Sequence, residues 1–250
     1  MTGPERGLFL YGVVRADERA AETVPDLTGL DDQRVRLLQH GSVAAVVSEI
    51  DLDRPPGRRA ELVRYNDVLD GLASSGPVVP VRFGTVLPDD EAVVLSLLEP
   101  NGDHFRDLLD DLRGRRQFNL KATYVEDVVL AEIVRDDPEV RALRERTRDL
   151  PEEAAYGDRV RLGELVSQGW QARAERDSQS LLADVLPLVV ADAPRSSGGS
   201  HSVVDVALLV DEQYVDDLLE RLEGLAEAVH ERIHLQLVGP VAPFDFVGDL

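Results

Sequence analysis

The chain has 250 residues, enough for one large domain or two small ones with a real core, and carries 48 acidic against 27 basic residues for a net charge of −21. Such a field repels nucleic acid and anionic lipid, whose binding rests on neutralising phosphates, and favours dispersion in water until a specific partner arrives. With no cysteine there are no disulfides, thiol catalysis, iron–sulfur clusters or cysteine-ligated zinc, and no apolar run approaches the ~20 residues of a membrane span. The N-terminus has no convincing cleavage site, so a soluble, cytoplasmic protein is expected.

LFLYGVVRA, Leu8 to Ala16, reads as a short strand bounded by Gly7 and by polar ADERAAE. RVRLLQHGSVAAVVSEI splits at His40-Gly41-Ser42 into two strands of a hairpin, about Val35 to Gln39 and Val43 to Glu49. After Pro55-Pro56-Gly57, Leu62, Tyr65, Val68, Leu69 and Leu72 recur at helical spacing, and Gly76-Pro77 closes that helix. VVPVRFGTV then reads as a fourth strand, with Val79, Val81 and Phe83 on one face and Pro80, Arg82 and Gly84 on the other. Pro88-Asp89-Asp90-Glu91 opens a further helix, which the spacing breaks at Pro100-Asn101-Gly102 and ends at Gly114. Residues 1–114 are therefore expected to form an antiparallel sheet with helices on one face.

A second domain is expected over 115–238. It opens on QFNLKATYV, where Phe118, Leu120, Ala122 and Tyr124 alternate as in a half-buried strand. Residues 126–190 read as mostly helical, punctuated by Pro138 and Pro151, and 192–202 as a flexible loop. VVDVALLV reads as a strand, VDEQYVDDLLERLEGLAEAV as an amphipathic helix and IHLQLVG as a strand. Residues 239–250, GPVAPFDFVGDL, form a tail with two prolines and two phenylalanines that cannot continue a central strand. The fold class is α+β: two small domains of ferredoxin-like style, the second with a long helical insertion and the tail.

His230 to His234 spell HERIH, a literal match to the zinc-protease pattern in which one helix carries two His four apart on one face. Here the helix is ending, and Ile233, Leu235 and Leu237 alternate as in a strand, where a rise of ~3.3 Å per residue sets positions four apart about 13 Å from each other. No G-x-S-x-G elbow, phosphate-binding glycine loop or EF-hand spacing is present. No catalytic, cofactor or metal residue is nominated. Arg82, amid an apolar run and followed by Phe83-Gly84, suits either an anion site or a structural ion pair with one of the many carboxylates; the structural reading is favoured for Arg82, Phe83 and Gly84.

The order PVVPVRFGTVLPDDEAV, helix, GRRQFNLKATYVED, long helical stretch, DVALLVDEQYVDDLLERLEGLA and closing VGPVAPFDF resembles the gas vesicle accessory protein family F/L over nearly the whole chain. The P-V-R-F-G-T core and the terminal G-P-x-x-P-[FY]-x-F carry the resemblance together. The family's tail usually has Trp and a second Pro where this chain has Val241 and Ala242. The resemblance implies two α+β domains and a non-enzymatic part in building the gas-filled vesicle that gives buoyancy. It also implies contact with the hydrophobic shell protein and other accessory proteins, and no cofactor. The tail is apolar yet unsuited to a core strand, so Val241, Pro243, Phe244 and Phe246 are the candidate contact residues, with the tail covering a sheet edge in the free state. A ligand-binding regulatory module and, less readily, a zinc-dependent hydrolase built on HERIH are the alternatives.

Overall fold

The computed structural model describes residues 6–54, 56–195 and 201–248. It is an α+β protein with two antiparallel sheets, and its residues group into two compact units. The first comprises residues 1–118, 209–212 and 238–250; the second comprises 119–208 and 213–237.

In the first unit β1 (Arg6–Arg15) is the central strand. After α1 (Glu18–Thr23), β2 (Arg36–His40) and β3 (Val43–Asp51) form the expected hairpin, and β3 runs antiparallel to β1. α2 (Arg59–Ser75) leads to β4 (Val78–Pro80) and the two-residue β5 (Val86–Leu87), both of which pair with β1. The sheet order is β2-β3-β1-β4, with β5 alongside β1.

β1 is buried at every position but its two ends, so helices cover both faces rather than the one face expected. Its register shifts between Leu10 and Gly12. One extra residue there changes the alternation, which sets Phe9, Tyr11 and Val14 in one cluster with Tyr65, Val68, Leu69 and Leu72 of α2. α3 (Asp90–Val93) and α4 (Glu99–Asp111) follow β5, and α4 also packs on β1, with Phe105 and Leu109 buried. The break in this helix is a π-helical stretch over Val94–Leu98, not the expected one at residues 100–102. Pro100 comes just after the π-helical stretch, inside a helical run that continues from Asp90 to Asp111.

β6 (Arg115–Tyr124) opens the second half, followed by α5 (Glu126–Asp136), α6 (Pro138–Thr147) and the 34-residue α7 (Glu152–Val185). β7 (Ala191–Pro194), β8 (Ser202–Asp211), α8 (Val215–Val229) and β9 (Ile233–Val241) complete it, in sheet order β7-β8-β6-β9. The first part of the expected loop over 192–202 is thus a strand, extended by Arg195 N–H donating to Asp205 O at 2.9 Å; residues 196–200 lie outside the described residues. The core of the second unit joins Leu120, Ala122 and Tyr124 to Val129 and Ile133 of α5, Val140 and Leu143 of α6, Leu181 and Val185 of α7, and Leu218 and Leu222 of α8. No described helix is long and apolar enough to cross a membrane.

Candidate functional site

The stretch containing Arg82 is not a continuous strand. β4 stops at Pro80, Val81 N–H donates to Tyr11 O at 3.0 Å, and the chain then turns. The Arg82 carbonyl accepts from Thr85 N (3.2 Å) and Thr85 Oγ1 (2.7 Å), closing a four-residue turn with Gly84 at φ +91°. That is the third position of a type II turn, where a side chain is strained and glycine is not. The turn drives Phe83 inward. Its ring lies 5.7 Å from Phe9 and 5.3 Å from Tyr65, both edge-on, and the Tyr65 hydroxyl donates to the Val81 carbonyl.

Arg82 itself is exposed, and among the described residues no carboxylate pairs with it. The expected ion pair is therefore corrected. Once the strand ends, strict alternation no longer fixes the side chain's face, and the surface charge needs no partner. Phe83 and Gly84 hold the turn through packing and backbone geometry; Arg82 contributes its carbonyl.

The C-terminal residues after β9 run against this aromatic cluster. Gly239 has φ +152°, and a Cβ there would meet Phe118 Cδ1 at 2.6 Å and Gln117 O at 2.9 Å, so only glycine fits. The next residues are pinned at three points. Ala242 is buried in the α2 cluster and its N–H reaches the Asp70 carboxylate, whose pKa burial raises against that bond. Gln117, 2% exposed, donates from Nε2 to Asp245 Oδ2 at 2.6 Å and accepts from Asp245 N at 3.3 Å. Pro243 and Val247 are buried as well.

Of the candidate contact residues, Pro243 is thus internal and Val241 and Phe246 are half-buried. Phe244 alone is well exposed, at 42%, with its ring 6.2 Å from Tyr65. On α2, exposed Leu62 (43%) lies three positions before Tyr65 and so on the same side of the helix, whereas exposed Val63 (51%), two positions before it, is on another side. The segment is a strap over α2 rather than a cover for a strand edge, because its anchors are Asp70 and Gln117 and its last strand residues already belong to β9.

In the second unit the HERIH segment spans the end of α8, a turn and the start of β9. His230 is exposed with Nδ1 2.8 Å from Glu227 O, and His234 is exposed on β9. No group of three His, Cys, Asp or Glu among the described residues could hold a metal ion. The structurally busy residue of the motif is Arg232. Its Nε lies 3.0 Å from both Glu132 oxygens, its Nη1 2.7 Å from Asp177, and its guanidinium 5.2 Å from the Tyr124 ring centre. Tyr124 donates its hydroxyl to Asp177, and Trp170 meets the Tyr124 ring edge-on at 5.2 Å. Burial, then Asp177, raises the Tyr124 pKa. Sequence reasoning missed this network, since its members come from β6, α5, α7 and the turn before β9.

The architecture and these two motifs agree with the comparisons. A family model described as gas vesicle synthesis protein GvpL/GvpF matches residues 7–248. The chain belongs to the GvpL/GvpF family. Similar relatives include gas vesicle protein F of a Streptomyces strain, 30% identical with 96% of this chain and 98% of the relative covered. Gas vesicle protein L1 of Halobacterium salinarum is 26% identical, with 98% and 91% covered. Among solved structures, GvpF from Anabaena superposes with a TM-score of 0.81 at 23% identity, covering 98% of this chain and 99% of that one. GvpF from Microcystis aeruginosa gives 0.78 at 19%, covering 96% and 98%. This GvpL/GvpF member accordingly has a role in the gas vesicle system.

Proposed function

We propose that this GvpL/GvpF chain is a non-enzymatic assembly factor or minor structural component that binds the hydrophobic shell protein in the cytoplasm and at the gas vesicle, alongside other accessory proteins. A shell subunit with an apolar, gas-facing surface aggregates unless that surface is shielded before polymerisation. A shielding partner needs an apolar docking face and a strongly charged remainder that keeps the complex dispersed. The net charge of −21 supplies the second property.

The observation that carries the reading is exposed Phe244, seated beside Tyr65 and held by the strap's anchors at Asp70 and Gln117, with exposed Leu62 one helical turn before Tyr65 on α2. Exposed aromatic and aliphatic groups on a rigid support lose little conformational entropy on docking. Co-expression of the tagged chain with its shell protein tests it. The parent chain is expected to retain the shell protein on the resin, and a Leu62→Asp/Phe244→Asp chain to retain about a tenth as much or less. Equal retention by a variant with the parent's circular dichroism spectrum removes Leu62 and Phe244 as the docking face.

A further inference from the structure

β2 is the outer strand of the first sheet and pairs with β3 on one side only. The hairpin turn is two residues long, Gly41-Ser42, so His40↔Val43, Leu38↔Ala45 and Arg36↔Val47 are the hydrogen-bonded pairs. The backbone N–H and C=O groups of Leu37 and Gln39 therefore point away from β3, and no hydrogen bond among the described residues reaches them. Free edges are ordinarily blunted by proline or by shortness. β4 ends on Pro80, β5 has two residues, β7 ends on Pro194 and β9 contains Pro240. β2 has no proline, and Arg36 is tied back to Asp90 through Nη1 at 3.2 Å and Nη2 at 2.5 Å.

Apolar side chains with accessible surface rim this edge on both faces. On the α1 face, half-buried Leu37 and exposed Ala21 line two hollows of about 320 and 340 Å³, one beside Arg34 and exposed Pro25, the other beside Gln39 and half-buried Ala16. Leu38 is half-buried on the opposite face, which it shares with Arg36 and hence with the start of α3. The π-helical stretch after α3 packs on β2 and carries Leu95, 56% exposed. The two ends of the edge differ in charge: Arg34 stands at one, Asp17 and Glu18 beside Gln39 at the other. Arg34 and Glu18 have no ion-pair partner among the described residues.

We propose that this edge pairs with the same edge of a second copy of the chain, antiparallel, about a two-fold axis through Leu38. In that orientation the edge is complementary to itself. Leu37 of each copy stands opposite Gln39 of the other, which satisfies the free N–H and C=O groups of both residues. Leu37 then enters the hollow beside Gln39, Leu38 meets its own counterpart next to Leu95, and Arg34 arrives at the end that carries Asp17 and Glu18. A parallel pairing would set arginine against arginine and acid against acid. Five-residue strands make a small contact, and two chains of net charge −21 repel at range, so association at tens of micromolar is expected. The pairing does not use Phe244 or Leu62, so its failure leaves the shell-binding reading untouched.

Sedimentation velocity of the full chain from about 5 to about 200 µM tests the pairing. The mass is expected to rise from 27.5 kDa toward twice that value. Gln39→Pro removes an outward N–H and no bond to β3, and Leu38→Lys sets two charges against each other at the axis. Each variant, with the parent's circular dichroism spectrum, is expected to stay at 27.5 kDa over the whole range. Arg34→Glu should weaken the pairing about tenfold, and adding Glu18→Arg to it should restore the parent's behaviour. A parent chain that keeps its monomer mass at about 200 µM overturns the proposal, as does a dimer that both Gln39→Pro and Leu38→Lys leave unchanged. A monomeric chain whose β2 edge instead takes up the capped peptide acetyl-KVTVTVE-amide would assign the edge to a foreign strand, and overturns it too.

Discussion

Glu61, in the first turn of α2, is a carboxylate held by the backbone. Its Oε2 accepts from Gly57 N and Arg58 N, both at 2.8 Å, and its Oε1 lies 2.7 Å from Arg54. The two N–H groups, with Arg54 adding to them, hold its pKa down at about 2, against 4.5 for a free glutamate. A depressed folded-state pKa stabilises the fold fully above the unfolded value, and that stabilisation disappears as pH falls through the folded value. The 2.5-unit difference corresponds to about 3 kcal/mol at pH 7, with the share from half-exposed Arg54 screened by solvent. Glu61→Gln keeps the shape and removes the charge, so it is expected to cost about 2–3 kcal/mol at pH 7. At pH 3.5 the parent has lost part of the same stabilisation, and the gap should narrow by about 1 kcal/mol. Urea unfolding followed by far-UV circular dichroism measures both, with a shift in midpoint of about 1 M expected at pH 7. A gap below about 0.5 kcal/mol at pH 7, or one that does not narrow at pH 3.5, refutes the reasoning.

Gly239→Ala should destabilise by about 2–3 kcal/mol, because the added methyl meets Phe118 and the φ is one a side chain resists; unfolding midpoints give the value, and a cost under about 0.5 kcal/mol contradicts the close approach. Arg82→Met should leave stability within about 0.5 kcal/mol of the parent in the same assay, as the side chain is exposed and unpaired, and a larger loss would restore the ion-pair reading. Arg232→Met leaves Glu132 and Asp177 without their shared cation and should cost about 1–3 kcal/mol, scaled down because these groups are partly exposed; Trp170 emission should report the change in the packing around Tyr124.

Much of the architecture was legible because it rests on local signals. The His40-Gly41-Ser42 turn marked the β2–β3 hairpin and the apolar spacing of Leu62 to Leu72 marked α2, whereas the expected boundary at Gly239-Pro240 did not hold: β9 runs on to Val241, and as an edge strand it tolerates the proline. The resemblance to the GvpL/GvpF family was carried by motifs whose physical reasons then emerged: Gly84 for a positive φ, Phe83 for the aromatic cluster, and the closing Gly-Pro for a close approach to Phe118. What stayed hidden depends on residues distant in the chain. The end of β4 at Pro80 is set by a turn whose aromatic anchor, Tyr65, lies on another element, so alternation carried Arg82 onto a strand face that does not exist. The attention drawn by His230 and His234 belonged to Arg232, whose partners are 55 to 100 positions away. The tail read as apolar and unusual, but only the pairing of Gln117 with Asp245 shows which of its phenylalanines faces outward.

The most direct measurement of the central claim is a titration of purified chain against the shell protein in dilute solution, read by light scattering as the shell protein leaves detergent. The parent chain is expected to hold scattering down at near-equimolar ratio, and the Leu62→Asp/Phe244→Asp chain to need about ten times as much. Scattering that rises just as fast with the parent chain present would contradict the account.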